Sequence, residues 1–384
     1  MESDPINYDA IVVGLGAVGS ATLHQLALRG ARVLGIDRFE PPHAFGSSAG
    51  ETRITRKAIG EGDMYVPLAL RSYDLFRELE REAGEPLLKV TGGLWISSPG
   101  RQAETHVANF FDNTLAAARK FGIGHEMLPP AEIRRRFPQF AVRDNEAGYY
   151  EPDAGYLRPE ACIRAQLAAA RRHGAEIRFN SPVRSLEDLP AARTIILTVG
   201  SWVRDFVPAE TAKLFTVTRQ VLYWFEVTGA PERFMHPNFP VWIWELQDVK
   251  HVIYGFPSLD GRTVKIATEQ YSRTTNPDPV EPRLPVSDAE IRAMHAQLVA
   301  PYLPALGPRC AKAVSCLYTA TPDFHFVIDR HPARDDVILV SPCSGHGFKH
   351  SAAVGESVAE LALIGRSSLD LGNFSLKRFG TARS

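Results

Sequence analysis

Two glycine-bearing turns at opposite ends of this chain have the residue types needed to hold an anionic group. Near the start, Gly14-Leu15-Gly16-Ala17-Val18-Gly19 follows the apolar run Ala10 to Val13. Near the end, Ser344-Gly345-His346-Gly347-Phe348-Lys349 follows the apolar run Val337 to Val340 and precedes a small-residue pattern, Ala352 to Leu363. Glycine lets backbone approach a ligand closely, and the amides that open a helix favour phosphate or carboxylate. Lys349 adds a fixed positive charge. Between the turns, Arg53 and Arg56 have a spacing that a helical turn would place on one side. Taken alone, that pair also describes a solvated helix face, which is the simpler reading, and the C-terminal turn is no more than a candidate cofactor loop.

The first turn gains meaning from its flanks. A helical pattern with Val18, Leu23, Leu26 and Leu28 apolar closes at Gly30, and a second apolar strand, Arg32 to Ile36, ends on Asp37. This is a complete βαβ dinucleotide fingerprint. Gly14 serves the tight turn, Gly16 the approach to pyrophosphate and Gly19 the helix packing, and Asp37 is placed for a ribose hydroxyl.

Further elements must position these groups. Helices are expected over Val66 to Ala83, Gln102 to Phe121, around Ile133 and over 159–173. Strands are expected over Leu88 to Ser97, Glu176 to Phe179 and Thr194 to Val199. Alternating aromatic segments (Gln220 to Val227, Pro240 to Glu245, His251 to Phe256, Thr263 to Ala267) read as an antiparallel sheet. Ser287 with Glu290 forms a capping box that opens a helix toward Leu298. Ala311 to Tyr318 and Phe324 to Ile328 then lead back to the C-terminal strand. The fold class is therefore α/β (α+β), with the chain leaving its nucleotide domain twice and returning twice.

With 384 residues, 45% hydrophobic and 23% charged, the chain is long enough for two domains. A net charge of −1 argues against nucleic acid as a partner. No apolar run reaches the ~20 residues that span a bilayer. The polar start, Met1-Glu2-Ser3-Asp4, shows no secretory signal, and Thr381 to Ser384 is no peroxisomal address. Four cysteines, Cys162, Cys310, Cys316 and Cys343, match no common zinc spacing, so no metal site is expected. Together these point to a cytoplasmic protein with reduced thiols.

Four stretches, in order, carry a resemblance. They are Gly46 to Gly62 continuing to Tyr65-Val66-Pro67-Leu68, and Tyr254-Gly255-Phe256-Pro257 with Lys265. Beyond these come Cys316-Leu317-Tyr318-Thr319 with Asp323 and His325 to Asp329, and the Ser344–Lys349 loop. With them the chain resembles the monomeric sarcosine oxidase and N-methyltryptophan oxidase family. The resemblance implies a glycine-oxidase-like flavoprotein fold, in which an FAD-binding Rossmann-like domain (1–85, 147–215, 316–384) faces an antiparallel-sheet substrate domain (86–146, 216–315). It implies FAD, joined through a thioether at Cys316, with Gly14, Gly16, Gly19, Asp37, Ser47, Gly345, His346 and Gly347 around it. Arg56 and Lys349 match a clamp for a substrate carboxylate, a fitting task for a guanidinium and an ammonium together. Lys265 matches the lysine beside the flavin where oxygen is activated, and Arg53 a neighbour of the ring. Tyr254 and Tyr318 match cavity-lining residues. The implied activity is oxidation of a secondary amino acid to an imine, with oxygen reduced to peroxide, by a monomer.

The sequence departs from this family at three places. Ser48-Ala49 replaces a histidine pair. Glu269 replaces an active-site histidine, which suggests a substrate larger than sarcosine or additionally basic, because a carboxylate attracts a cation or accepts a hydrogen bond. The Arg184 to Arg193 link is short where relatives carry a β-meander. Trp242 or Trp244 is a candidate for an aromatic cavity wall, with sheet packing as the alternative. The competing functional readings are an amine dehydrogenase with another electron acceptor and a flavin-binding protein without turnover.

Overall fold

The structure is a computed structural model describing residues 7–278 and 285–380. Met1 to Asp4 and Thr381 to Ser384, discussed above, lie outside the described residues. A six-stranded sheet runs in the order Val327–His331, Arg334–Ser341, Ala192–Leu197, Tyr8–Val13, Val33–Ile36, Glu176–Arg178. The first two strands form an antiparallel hairpin and the other pairings are parallel. Parallel strands are covered on both faces, which is why Ile11-Val12-Val13, Ile195 to Leu197 and Val337 to Val340 are unbroken apolar runs.

Helix Ala17–Leu28 packs over this sheet and against helices Pro159–Arg172 and Ser351–Ile364. Val18 through Ala27 are all buried, as expected of a helix covered on every side. On the sheet's other face, Ile11, Val13, Ile195 and Leu197 pack with Val203, Phe215 and Leu376. The short link contributes there too, because Leu186 and Leu189 are half-buried against that cluster.

The second sheet has eight strands in the order Leu306–Ala320, Thr216–Val227, Thr263–Thr268, Val252–Gly255, Val241–Glu245, Gly93–Ser97, Ala147–Glu151, Glu126–Leu128. Its pairings are antiparallel, except that Val241–Glu245 runs parallel to Gly93–Ser97. The expected capping box at Ser287 and Glu290 is present, and helix Val66–Ala83 has the expected bounds.

Four expectations are corrected. Leu88 to Ser97 is not one strand. Leu88–Val90 belongs to a small three-stranded sheet and Gly93–Ser97 to the large one, with Gly92 (φ +74°) turning the chain between them. The Gln102 to Phe121 helix begins only at Phe110. The amides of Gln102 and Ala103 instead donate to the carbonyls of Gln247 and Leu246, so tertiary partners replace the helical ones. Ala147–Glu151, expected at the return to the nucleotide domain, pairs within the eight-stranded sheet. Arg53 does not lie on a helical turn: Arg53–Thr55 is a strand paired with Gly155–Leu157.

Candidate active site

Pairing register determines which side chains of the eight-stranded sheet share a face. Trp224 lies opposite Lys265, Leu222 opposite Ala267, Ala267 opposite Tyr254, and Thr218 opposite Tyr318. Residues directly opposite one another point the same way, so Lys265, Tyr254, Tyr318 and Cys316 belong to one face. The other face carries Trp242, Trp244, Tyr223, Phe225, Ile253 and Ile266 in a dry cluster. Trp242 and Trp244 are therefore sheet packing, not cavity wall, and Trp244 Nε1 donates to buried Glu146 at 2.8 Å.

A cavity of about 590 Å3 lies between the first face and the six-stranded sheet. It brings together Gly14, Gly16, Asp37, Ser47, Arg53, Arg56, Tyr254, Lys265, Glu269, Tyr318, Gly345, His346, Gly347 and Lys349. Gly19 and Cys316 are not in its lining. Gly19 packs beneath the first turn, where a Cβ would stand 1.8 Å from the Gly14 carbonyl oxygen. Cys316 is buried against Leu222, Trp224 and Ala267, with Tyr254 beside it. Cys343, which carried no expectation, does line the cavity, with its Sγ 4.0 Å from Ser47 Oγ.

At the nucleotide end, Gly14 has φ +89° and abuts the Thr198 carbonyl, 2.6 Å from where a Cβ would stand, so a side chain is excluded twice over. Asp37 ties this turn to its own strand end: one carboxylate oxygen accepts from Leu15 N at 2.7 Å, the other from Phe39 N at 2.8 Å.

In the middle, Lys265 Nζ donates to Gly50 O at 2.6 Å, Thr52 O at 2.8 Å and Thr52 Oγ1 at 3.1 Å. Arg53 donates to the carbonyls of Ser47 and Thr52, each at 2.8 Å, and of Ala49. These acceptors are all uncharged. Burial, and then neighbouring Arg53, hold the Lys265 ammonium well below an ordinary lysine pKa.

At the far end, Arg56 is buried, which overturns the solvated-face reading. Its guanidinium donates to Glu61 at 2.6 Å, and Lys349 Nζ lies 3.3 Å from the other Glu61 oxygen and 2.8 Å from His346 O. Burial alone would raise the Glu61 carboxyl, but Arg56 and Lys349 hold it well below the usual carboxylate range. Burial brings Lys349 down to about 8 despite Glu61 beside it. Two cations and one carboxylate leave one net positive charge, enough for one bound carboxylate.

Glu269 has a partner: His106 Nδ1 lies 2.9 Å from its Oε2. The His106 ring stacks on His346, with centroids 5.5 Å apart. Burial holds His346 well below the ordinary histidine value, so it is neutral, with Nε2–H donating to Phe324 O at 3.0 Å. Tyr254 and Tyr318 meet hydroxyl to hydroxyl at 3.3 Å, and burial raises both phenols.

Glu61 and His106 are the residues that sequence reasoning missed. Glu61 lies within the quoted Gly60-Glu61-Gly62 stretch, and a lone acid between glycines downstream of two arginines was a usable signal. His106 falls in a segment expected to be helical and carries no signal of its own.

A nucleotide-type sheet facing an antiparallel sheet across a cation-rich cavity defines an FAD-dependent oxidoreductase, and residues 9–361 match the family described as "FAD dependent oxidoreductase". The chain is 40% identical to the monomeric sarcosine oxidase of Streptomyces avermitilis, with 98% of each chain covered. It is 33% identical to the N-methyl-L-tryptophan oxidase of Yersinia pestis, over 97% of this chain and 100% of that protein. It therefore belongs to the monomeric sarcosine oxidase and N-methyltryptophan oxidase family of FAD-dependent enzymes. Among solved structures, NikD, described as an unusual amino acid oxidase essential for nikkomycin biosynthesis, shares the fold at a TM-score of 0.79 and 22% identity, with 97% of this chain covered.

The residues fit FAD. The first turn, bare of side chains at Gly14 and Gly16, suits a pyrophosphate, and Lys265 with Arg53 offers charge that no carboxylate neutralises by a direct hydrogen bond among the described residues. No helix among the described residues is long and apolar enough to cross a membrane.

Proposed function

We propose that this enzyme oxidises a secondary amino acid, N-methyl or cyclic, at its C–N bond, with oxygen as acceptor. The carrying observation is that one cavity holds two differently equipped cation pairs, Arg56 with Lys349 around Glu61, and Lys265 with Arg53 among carbonyls. The names of the relatives support an N-methyl amino acid. The substrate loses two electrons and two protons to give an imine; oxygen takes up the same number to give hydrogen peroxide; water then hydrolyses the imine. FAD, when bound, supplies the two-electron chemistry.

Arg56 and Lys349 bind the carboxylate, and the Tyr254–Tyr318 pair forms a wall that orients the amine. Lys265 offers a fixed cation where oxygen gains charge, and Arg53 favours a negative ring beside it. Gly14, Gly16, Asp37, Ser47, Gly345, His346 and Gly347 hold the cofactor. The cofactor domain is taken as 1–85, 152–215 and 316–384 and the substrate domain as 86–151 and 216–315, the boundary expected at 147 moving with strand Ala147–Glu151. The substrate is larger than sarcosine, and the enzyme is a cytoplasmic monomer.

Cys316 is the proposed point of covalent attachment to the flavin 8α carbon, supported by its place on the cavity face of the sheet. Acid precipitation of Cys316→Ser and Cys343→Ser checks this. Yellow colour is expected to leave the protein only in the first variant, and loss only in the second would transfer the link to Cys343.

Turnover of a secondary-amine panel, followed by peroxide release, tests the activity. Peroxide is expected from N-methyl or cyclic amino acids, with a larger one clearly better than sarcosine. Anaerobic bleaching of the flavin without aerobic peroxide would make the enzyme a dehydrogenase, and neither signal would make it a non-catalytic flavin protein.

A further inference from the structure

Beyond the clamp, the cavity has a second polar region that the proposed chemistry does not use. His106 Nδ1 bonds Glu269, and a carboxylate can only accept, so Nδ1 carries its proton. The other ring nitrogen, Nε2, is buried with no hydrogen-bond partner. Burial disfavours the charged imidazole, but the Glu269 carboxylate at Nδ1 raises the His106 pKa above its ordinary value and so favours the doubly protonated ring, in which Nε2 is a donor. Tyr271 lies next to it, with ring centroids 5.9 Å apart, and its hydroxyl is also buried without a partner. That hydroxyl stands over the glycine loop, 2.8 Å from where a Cβ on Gly345 would be. Burial keeps the Tyr271 phenol protonated. Two buried donors without acceptors, one of them in the wall of a ligand cavity, are costly unless a ligand satisfies them.

Charge decides what that ligand carries. Arg56, Lys349 and Glu61 sum to one positive charge, and Glu269 with a doubly protonated His106 sums to zero. One carboxylate balances the site. A second carboxylate would be unbalanced, and an added cation would meet a Glu269 already paired with a cation. The His106 partner weighs against the additionally basic substrate expected from Glu269 alone.

We propose that His106, held by Glu269 and assisted by Tyr271, forms a specificity subsite for a neutral hydrogen-bond acceptor on the substrate. The acceptor is a carbonyl, amide or hydroxyl oxygen on the part of the molecule remote from the clamped carboxylate. The inference rests on the carboxylate reading of Arg56 and Lys349 but not on turnover. A site built around a buried donor rejects a ligand that lacks the acceptor, because the donor is then left unsatisfied.

Anaerobic calorimetric binding to the flavin-loaded enzyme with its flavin already reduced, so that no turnover occurs, tests this with matched N-methyl amino acids whose side chains end in an amide, an isosteric alkyl group or an ammonium. The amide is expected to bind roughly 10- to 100-fold more tightly than the alkyl isostere, the range for one buried hydrogen bond. In His106→Leu that ratio is expected to fall toward one, with the same collapse in the ratio of kcat/KM values. A merely structural role would weaken all ligands alike. Equal wild-type affinity for amide and alkyl, or preference for ammonium, overturns the proposal. Should His106→Leu fail to fold, the wild-type ratios still decide it, and Glu269→Gln, which keeps the bond but not the charge, is expected to reduce the amide preference. Failure of all carboxylates to bind would instead remove the clamp reading.

Discussion

Two pairs of cations share one cavity, and the protein neutralises them in opposite ways. Arg56 and Lys349 close on the carboxylate of Glu61. Lys265 and Arg53 are surrounded by the carbonyls of Ser47, Ala49, Gly50 and Thr52. The first arrangement leaves a single charge and suits a small ligand that arrives and departs. The second keeps two cations in low dielectric with dipoles only, an arrangement that a resident anionic ring stabilises. Glu61 is thus what distinguishes the proposed substrate site from the proposed cofactor site, which is made of the same residue types.

Breaking the uncompensated pair is expected to have the largest effect. Lys265→Met should slow reoxidation by oxygen roughly 10²- to 10³-fold, the size of losing one fixed electrostatic group, with a much smaller change in anaerobic reduction by substrate. Stopped-flow measurement of the two half-reactions checks this, and equal losses in both would erase the distinction.

The compensated pair is sharpened by pH. Lys349 titrates near 8 in the free enzyme, so kcat/KM for a carboxylate substrate should fall as pH rises through that value and the ammonium is lost. Glu61 raises the Lys349 pKa, so Glu61→Gln should move this limb to lower pH. A limb that stays in place would show that Glu61 does not set the charge of the clamp.

The smallest effect is expected on the dry face of the same sheet. Trp244→Phe removes the donor to buried Glu146 and should cost about 1–3 kcal/mol of stability in denaturant melts, with kcat/KM unchanged. A changed kcat/KM would reopen Trp244 as a cavity residue.

Much of the fold is legible locally. The Gly14 to Gly19 turn and the apolar strands around it declare themselves as one contiguous motif, and the Ser287 capping box closes its hydrogen bonds within three residues. Legibility fails where long-range partners take over. Leu88 to Ser97 divides between two sheets, and Gln102 and Ala103 give their amides to Gln247 and Leu246. The face on which Trp242 and Trp244 lie depends on register with Gly93–Ser97 and Val252–Gly255, which alternation alone leaves ambiguous.

The same division holds for the site. Sequence by itself determined the nucleotide turn, the two arginines, Lys265, Lys349 and the family they belong to, because each sits in a contiguous motif. Only the tertiary structure decided that Arg56 and Lys349 share Glu61, that Cys316 lies outside the cavity lining while Cys343 is in it, and that His106 answers Glu269 across 163 positions of chain. Charge compensation in a buried site depends on distances of about 3 Å between residues far apart in sequence, and no local pattern encodes them.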